Sequence, residues 1–358
     1  MATLTDHLIK LTDHRERDLL ELTLAKALID LLPVQRVIIA KLLSEDGVDR
    51  WMEVVTLDVR GGGKVVDPLR VEFATLPLLE DFKQRAQCLR ERAQVVFAWA
   101  GEDGPRITYL PLLDGSRDGA DCVVEFHSGG LLSAGELEAI GRLQHVFRNM
   151  FHLLAYSDRD GLTGLLNRKS LDDTFYSAVL DELEAGAAGS ARLLEVQVKA
   201  GQERRHRVPP NYWLGTVSVD GFSAISDKHG HLIAEEVLLL VARVLANTFR
   251  TYDRLYRLGG EQFAVLMHCP DEALVLAAFE RCRANVAKFN FPQVGTVTVC
   301  GGFTRVSADD SPSTALERAE RAVDYAQHQG GDRVAGHADL VRRGLLNGAA
   351  KVGAIDII

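Results

Sequence analysis

Long apolar runs are absent from this sequence of 358 residues, cysteines and aromatic residues are few, and there is no excess of positive charge. The most apolar stretch, Val237 to Ala246, carries Arg243 and is far too short to span a bilayer. The polar N-terminus has no apolar core of the kind a signal peptide needs. We therefore expect a cytoplasmic protein with no membrane partner.

The cysteines and the charge balance each exclude a further class of protein. The five cysteines are odd in number, lie far apart and form no C-x-x-C motif. This pattern argues against a disulfide framework or a zinc site and fits a reducing compartment. Lys and Arg total 41 against 50 Asp and Glu, which gives a net charge of -9. Non-specific binding to nucleic acid depends on clustered positive charge, so we expect no DNA partner.

The amino-acid composition is otherwise that of an ordinary globular protein. Hydrophobic residues make up 47% and charged residues 25% of the chain, which excludes a disordered or low-complexity protein. At about 150 residues per domain, the length indicates about two domains.

The N-terminal part, residues 1–132, alternates helical and strand-like patterns. Leucines at helical spacing predict a helix over 17–32, which Pro33 ends. Runs of β-branched residues separated by turn residues predict the remaining elements, which are strands at 36–43 and 51–59, a helix at 76–92, and strands at 93–100, 106–113 and 120–128. This order predicts an α+β domain.

The same order, with the segments PRITYLPLLDG and VVEFH followed by a long helix, resembles a GAF sensory domain over roughly residues 15–150. The resemblance implies an antiparallel sheet with helices. It also implies either a small ligand held against that sheet or a domain that only dimerises. No ligand-binding constellation is visible in the sequence, and we expect His127 to be structural or exposed rather than a metal ligand.

A helical connector is predicted over residues 133–157. Its apolar side chains step by 3, 4, 3 and 4 residues and are Ile140, Leu143, Phe147, Met150 and Leu154. This spacing is an a/d seam of nearly three heptads. Two interpretations stay open: a helix that covers the sheet of the first domain, or a parallel two-stranded connector that joins two protomers as a homodimer.

Two motifs follow the connector in order. Asp160 to Arg168 reads D-G-L-T-G-L-L-N-R, and Arg257 to Phe263 reads R-L-G-G-E-Q-F. Together they resemble the GGDEF (diguanylate cyclase) family over roughly residues 157–337, within a domain predicted at 158–340 that a tail at 341–358 follows. The resemblance implies a βαββαβ core and the joining of two GTP molecules into cyclic di-GMP, one GTP per protomer of a dimer.

The second motif predicts a β-hairpin. Its flanking segments LYRL and EQFAVLM are strand-like, and Gly259 and Gly260 between them indicate a two-residue turn with positive φ at both positions. Without a Cβ, such a turn lets backbone N–H groups approach phosphate oxygens. The pair is therefore a candidate for part of a nucleotide site.

Several positions that the resemblance makes catalytic are substituted. Ser218 stands at the metal-binding aspartate, Ser223 at a lysine and Ser226 at the guanine-reading asparagine, while Asp227 and Glu235 keep their charge in a residual GTP half-site. At the C-terminal end, Gln327 replaces the lysine that meets the terminal phosphates, and Gly331 replaces an arginine. A serine lacks the paired donor and acceptor of an amide. These substitutions predict a catalytically inactive half-site.

The metal-site carboxylates are also reduced. Glu261 remains, whereas the next residue is the neutral Gln262. Mg2+ prefers one or two carboxylates together with phosphate and water. A shifted site using Asp220 and Glu261 remains an alternative, but we expect no required cofactor, with Mg2+ needed only where GTP binding persists.

One family site is intact. Arg250 and Asp253 form an R-x-x-D sequence before Gly259, where the resemblance implies the product-inhibition site of active cyclases. Arg can donate a bidentate pair to guanine O6 and N7, and Asp can accept from N1 and N2. The plain alternative is an exposed ion pair near a helix end.

The leading hypothesis is a cyclic di-GMP receptor that is not an enzyme and that acts on an unknown downstream protein. One alternative is a weakly active diguanylate cyclase using Glu261 with Asp220. Another is a dimerisation module that binds no nucleotide.

Overall fold

A computed structural model describes residues 3–13, 17–45, 47–60, 62–66, 71, 73–98, 106–112, 122–176, 178–179 and 211–347. The chain divides into two compact units, Met1–Ser157 and Asp158–Ile358. Both units combine helices with a six-stranded sheet. Within the described part of the chain, none of the helices is long and apolar enough to cross a membrane.

The N-terminal unit has an antiparallel sheet in the order β3-β2-β1-β6-β5-β4. Its elements are α1 (Leu4–Asp13), α2 (Arg17–Leu31), β1 (Val34–Glu45), β2 (Val48–Asp58), β3 (Gly62–Val65), α3 (Lys83–Glu91), β4 (Val95–Ala98), β5 (Arg106–Leu112), β6 (Cys122–Ser128) and α4 (Ala134–Ser157). Two 3₁₀ turns, Phe73–Thr75 and Leu79–Phe82, precede α3.

Successive side chains of its strands enter two different apolar clusters, as expected where a sheet is covered on both faces. Val124 and Phe126 of β6 pack in the cluster that α1, α2 and α4 also enter. Val123 of β6 and Tyr109 of β5 pack with Cys88 of α3. The sheet therefore lies between a layer of three helices and the single helix α3.

The predicted α+β architecture is confirmed, with local differences. The helix α1 and the strand β3 were not predicted, and α3 begins at Lys83, later than the predicted residue 76. Leu79–Phe82 form a 3₁₀ turn, and Leu78 forms an isolated bridge with Arg50, so the segment before α3 is tied to β2. The last two residues of the strand predicted at 93–100 lie outside the described residues. The GAF resemblance stays a prediction.

The seam of α4 is covered within its own unit. Ile140, Leu143 and Phe147 are at most 2% exposed and pack in the same cluster as Leu11 of α1 and Leu20 of α2. Met150 and Leu154 are half-buried against that cluster. Of the two interpretations, the structure has the covering helix, and α4 belongs to the first unit. The homodimer stays a prediction.

The C-terminal unit has a sheet in the order β14-β13-β8-β10-β9-β7. After β7 (Leu166–Asn167), residues 168–176 and 178–179 are helical (α5). The later elements are β8 (Tyr212–Val219), α6 (Phe222–His229), α7 (His231–Thr248), β9 (Arg254–Gly259), β10 (Gln262–His268), α8 (Glu272–Lys288), β11 (Asn290–Phe291), β12 (Gly295–Thr296), β13 (Val299–Arg305), α9 (Pro312–His328), β14 (Val334–Gly336) and α10 (His337–Arg342). The predicted βαββαβ core is confirmed as β8, α6 with α7, β9, β10, α8 and β13. Of the tail predicted at 341–358, residues 348–358 lie outside the described part of the chain.

Two glycines let helices approach this sheet closely. A Cβ on Gly302 of β13 would stand 2.3 Å from the Ala319 carbonyl of α9, and one on Gly215 of β8 would stand 2.2 Å from the Phe279 ring of α8. Real Cβ contacts are never this short, so larger residues would push the helices away. The close approach of α9 brings its C-terminal end over β8, where the candidate site lies.

Candidate functional site

The first motif forms a tight turn around Asp160. Thr163 donates to the Asp160 carboxylate from its backbone N–H at 2.8 Å and from its hydroxyl at 2.7 Å. Arg257 of β9 donates to both carboxylate oxygens at 3.1 and 3.2 Å. Burial alone would raise the pKa of Asp160, but Thr163 and Arg257 outweigh it, and the pKa lies below its usual value. The turn is thereby tied to the hairpin strand.

The hairpin of the second motif differs by one residue from the predicted turn. Gly259 is the last residue of β9, so the two residues between the strands are Gly260 and Glu261. Both glycines nevertheless have positive φ, 134° and 52°. The Arg257 guanidinium donates to the Gly260 carbonyl at 3.0 and 3.3 Å, which holds the turn from the strand beside it.

Two of the substituted positions contact each other. Ser218 lies near the end of β8 and is 5% exposed, and its cross-strand partner is Gln262 of β10. Gln327, near the end of α9, donates from Nε2 to the Ser218 hydroxyl at 3.3 Å. A neutral contact thus joins two residues that are 109 positions apart in the sequence.

Asp220 is engaged by the chain itself. Its Oδ2 accepts from the Thr298 hydroxyl at 2.7 Å and from the Asp332 N–H at 2.8 Å, and a Cβ on Gly331 would lie 3.1 Å from the same oxygen. Asp332 in turn accepts from Arg283 of α8 at 2.8 Å. Burial first, and then the neighbouring Asp220 carboxylate, raises the pKa of Cys300 to about 12.

The other half-site positions lie on α6 and α7. Ser223 and Asp227 of α6 and Glu235 of α7 are exposed. The Ser226 hydroxyl is 3.1 Å from Nδ1 of His231, so its hydrogen-bonding capacity is partly used inside the chain. Across the described residues, His, Cys, Asp and Glu form no group of three or more that could hold a metal ion.

Arg250 and Asp253 form one turn between α7 and β9. The Arg250 N–H donates to Oδ2 of Asp253 at 3.0 Å, and the Asp253 N–H donates back to the Arg250 carbonyl at 3.0 Å. Arg250 is exposed, with its guanidinium carbon 5.7 Å from the centre of the Tyr252 ring. Asp253 is only 8% exposed. The carboxylate therefore shapes the turn that presents the arginine.

The residues that support these sites were not predicted from the sequence. Arg257 and Asp160 belong to the two motifs, and their opposite charges were a signal for a pair. No sequence pattern indicated the contacts of Thr298 and Asp332 with Asp220, or that of Arg283 with Asp332, because the partners lie far apart in the chain.

The chain is similar to known proteins in its second half. Residues 189–333 match the family model described as "Diguanylate cyclase, GGDEF domain". Diguanylate cyclase DgcP of Pseudomonas aeruginosa is 31% identical over 167 residues, which are 46% of this chain and 25% of that protein. Diguanylate cyclase DgcZ of Escherichia coli is 27% identical over 187 residues, 51% of this chain and 55% of that protein. The match thus spans between a quarter and about half the length of these relatives.

The chain is also similar to parts of two solved structures. The GGDEF domain of DgcB from Caulobacter crescentus, in complex with c-di-GMP, is 24% identical with a TM-score of 0.41, covering 51% of this chain and 93% of that one. Diguanylate cyclase SiaD from Pseudomonas aeruginosa, in complex with its activator SiaC, is 26% identical with a TM-score of 0.42, covering 56% and 72%. By the family match and the two motifs, the C-terminal unit contains a GGDEF domain, and the relatives it matches include diguanylate cyclases.

Proposed function

We propose that the GGDEF domain of this protein is catalytically inactive and serves as a receptor for cyclic di-GMP, which it binds through Arg250 and Asp253. The observation that carries the inactive half of the proposal is the contact between Ser218 and Gln327. These residues stand where the family resemblance implies an aspartate and a lysine. Both charges are missing together.

The paired loss has a physical reason. Ser218 is 5% exposed, so an aspartate at this position would be an almost buried charge. Such a charge is costly unless a partner of opposite sign compensates it. Gln327 supplies no such partner, and its amide instead satisfies the serine hydroxyl. A chain without the lysine therefore favours a neutral residue at position 218.

The residues present suit Mg2+ poorly. Ser218 offers a hydroxyl that is already engaged, and Asp220 Oδ2 already accepts two hydrogen bonds from the chain. Glu261 is the carboxylate that remains, and Gln262 beside it is neutral. Without Lys and Arg at 327 and 331, the triphosphate also loses two cations. Each such electrostatic group typically supplies a few kcal/mol to a transition state, so we derive no cyclase step for this chain.

The receptor half of the proposal is supported by the turn at Arg250. Its backbone is held by reciprocal hydrogen bonds with Asp253, and its guanidinium is exposed. A bidentate pair from arginine to guanine O6 and N7 is the commonest specific contact to this base. With Asp253 mostly buried, we expect Arg250 to contribute the larger share of the affinity.

The test is calorimetric titration of the full chain with cyclic di-GMP, with GTP plus Mg2+ run in parallel. The proposal expects saturable binding of the dinucleotide and none of GTP. Arg250→Ala should abolish binding, whereas Arg305→Ala, an equally exposed arginine at the end of β13, should leave the affinity unchanged. Equal affinities in the two variants would overturn the site assignment.

The alternative is a weakly active cyclase, which is favoured by the fact that the curated relatives are named diguanylate cyclases. Incubation with GTP and Mg2+, followed by separation of the products, distinguishes the two functions. Formation of cyclic di-GMP that is lost in Glu261→Gln would contradict the inactive domain. Absence of binding to either nucleotide would favour the third possibility, a module that only dimerises.

A further inference from the structure

A cavity of about 260 Å³ lies in the N-terminal unit, between the end of β5 and the flank of α4. It is lined by Pro111 and Leu112 of the strand and by Gly141, Gln144, His145 and Arg148 of the helix. We propose that this cavity is a binding site for a small organic anion carrying a phosphate or carboxylate group. The proposal does not depend on the function of the GGDEF domain.

Among the described residues, the polar side chains of the lining are Gln144, His145 and Arg148, and none of them is an acid. The amide nitrogen Nε2 of Gln144 is buried and has no hydrogen-bond partner in the described part of the chain. Buried donors are normally satisfied, and leaving one unpaired is costly, so a ligand acceptor at this point would be stabilising. Arg148 contributes a permanent positive charge, and no carboxylate forms an ion pair with it in the part of the chain that is described.

The histidine between these donors is held in place. Nη2 of Arg148 lies 3.1 Å from Nδ1 of His145, and the Asn149 amide nitrogen lies 3.3 Å from Nε2. Since arginine can only donate and a neutral imidazole has a single acceptor nitrogen, Nδ1 is the acceptor, and this contact ties Arg148 to a residue one turn earlier on α4. An arginine braced in this way loses less side-chain freedom when it binds an anion, which favours binding.

Gly141 is the second, independent observation. It lies in the interior of α4, where glycine is the least favourable residue after proline. Among the described residues, no atom lies within 4 Å of the position that its Cβ would occupy. Packing therefore does not require the glycine, and its effect is to leave the mouth of the cavity open beside Gln144 and Arg148.

The polar and the apolar residues of the lining together indicate the class of ligand. The donors Gln144 and Arg148 suit a phosphate or carboxylate, which can accept several charge-assisted hydrogen bonds. Pro111 and Leu112 offer an apolar wall to the rest of the molecule. The volume lies just below the range of about 300–1,000 Å³ that is usual for ligand pockets, so the ligand should be a small metabolite-sized anion.

The test uses phenyl phosphate and inorganic phosphate as probes in titrations of the full chain, followed by calorimetry or 31P NMR. We expect phenyl phosphate to bind with a Kd of about 1 mM or tighter and more tightly than inorganic phosphate, because its ring can rest on Pro111 and Leu112. Benzoate, run in a third arm, distinguishes a carboxylate site from a phosphate site.

Two variants block the site in different ways. Arg148→Met removes the charge and keeps the stem, and should weaken binding of phenyl phosphate at least about tenfold. Gly141→Leu fills the cavity mouth without changing charge and improves helix propensity, so it should fold and also lose binding. Arg142→Met is the matched control, since Arg142 is exposed on the same helix and pairs with Glu138 outside the cavity.

Helical content and unfolding midpoint, measured for each variant, verify that the fold is intact. Binding that is the same in Arg148→Met and Arg142→Met, or that persists in Gly141→Leu, would overturn the proposal. So would the absence of saturable binding of all three probes below about 10 mM.

Discussion

The two units differ in the buried polar groups that they contain. In the N-terminal unit, Arg85 of α3 is 1% exposed and fully charged, and donates to Glu125 at 2.8 Å and to Glu53 at 2.7 Å. In the C-terminal unit, position 218 is 5% exposed and carries a hydroxyl that accepts from the Gln327 amide. The chain thus keeps a buried charge where no catalysis is expected and lacks one where the family resemblance implies catalysis.

The difference is explained by what surrounds each group. The Arg85 guanidinium carbon lies 4.1 Å from the centre of the Phe82 ring and 5.9 Å from that of Trp51. Two aromatic faces and two carboxylates thus stabilise its charge, while its buried Nη1 has no hydrogen-bond partner among the described residues. Glu125 receives a further contact from His127 Nε2 at 2.5 Å. A charge is retained inside a protein when it is compensated to this degree, and without compensation the neutral residue is more stable.

We expect the largest effect on stability from removing the buried charge of Arg85. Arg85→Met keeps the apolar stem but leaves Glu125 buried without its cation, which should lower the free energy of unfolding by about 3–5 kcal/mol. Denaturant unfolding of the first unit measures this. Arg90→Met, on the exposed side of the same helix, is the control and should change stability by less than about 0.5 kcal/mol. Similar losses in both variants would mean that the buried pair does not govern stability.

The next largest effect should come from placing a charge in the neutral contact between Ser218 and Gln327. Ser218→Asp alone places an almost unpaired charge at a position that is 5% exposed, and should destabilise the protein by about 2–3 kcal/mol. Adding Gln327→Lys should restore most of that loss, because the two positions are in contact. The measurement is a double-mutant cycle of unfolding free energies. Additive effects of the two substitutions would show that Ser218 and Gln327 do not form a coupled pair.

A smaller effect should follow from pH. Burial alone would raise the pKa of Glu125, but the hydrogen bond from His127 and the charge of Arg85 outweigh it, so the pKa lies below the usual value for a glutamate. A depressed carboxyl pKa stabilises the fold above pH 4.5, and this contribution is lost as pH falls through the folded value. For one proton, the free energy of unfolding changes by at most about 1.4 kcal/mol per pH unit.

To isolate this slope, the free energies of unfolding of wild type and Glu125→Gln are measured at a series of pH values between about 3 and 6. The variant is expected to be less stable at neutral pH and less sensitive to acid below pH 4.5. Parallel curves for the two proteins would mean that Glu125 does not titrate differently in the folded and unfolded states.

Local patterns predicted much of this fold. The helix α2 and the strands β1, β2, β5 and β6 were predicted from short-range periodicity and turn residues. The βαββαβ order of the second unit was predicted from the family resemblance. The motif letters also singled out Glu261, Arg250 and Asp253, whose roles stay a prediction. The turn at Gly260 and Glu261 was misplaced by one residue, because the end of β9 is set by its pairing with β10 rather than by the glycines.

The sequence by itself determined which chemical groups the candidate site has: a neutral serine and glutamine, a carboxylate at Glu261, and an intact R-x-x-D. Only the tertiary structure decided how they combine. It covered the α4 seam with α1 and α2, joined Ser218 to Gln327, held Asp220 with Thr298 and Asp332, and buried Asp253 while exposing Arg250. These outcomes depend on contacts between residues far apart in the chain, whose energies no local pattern contains.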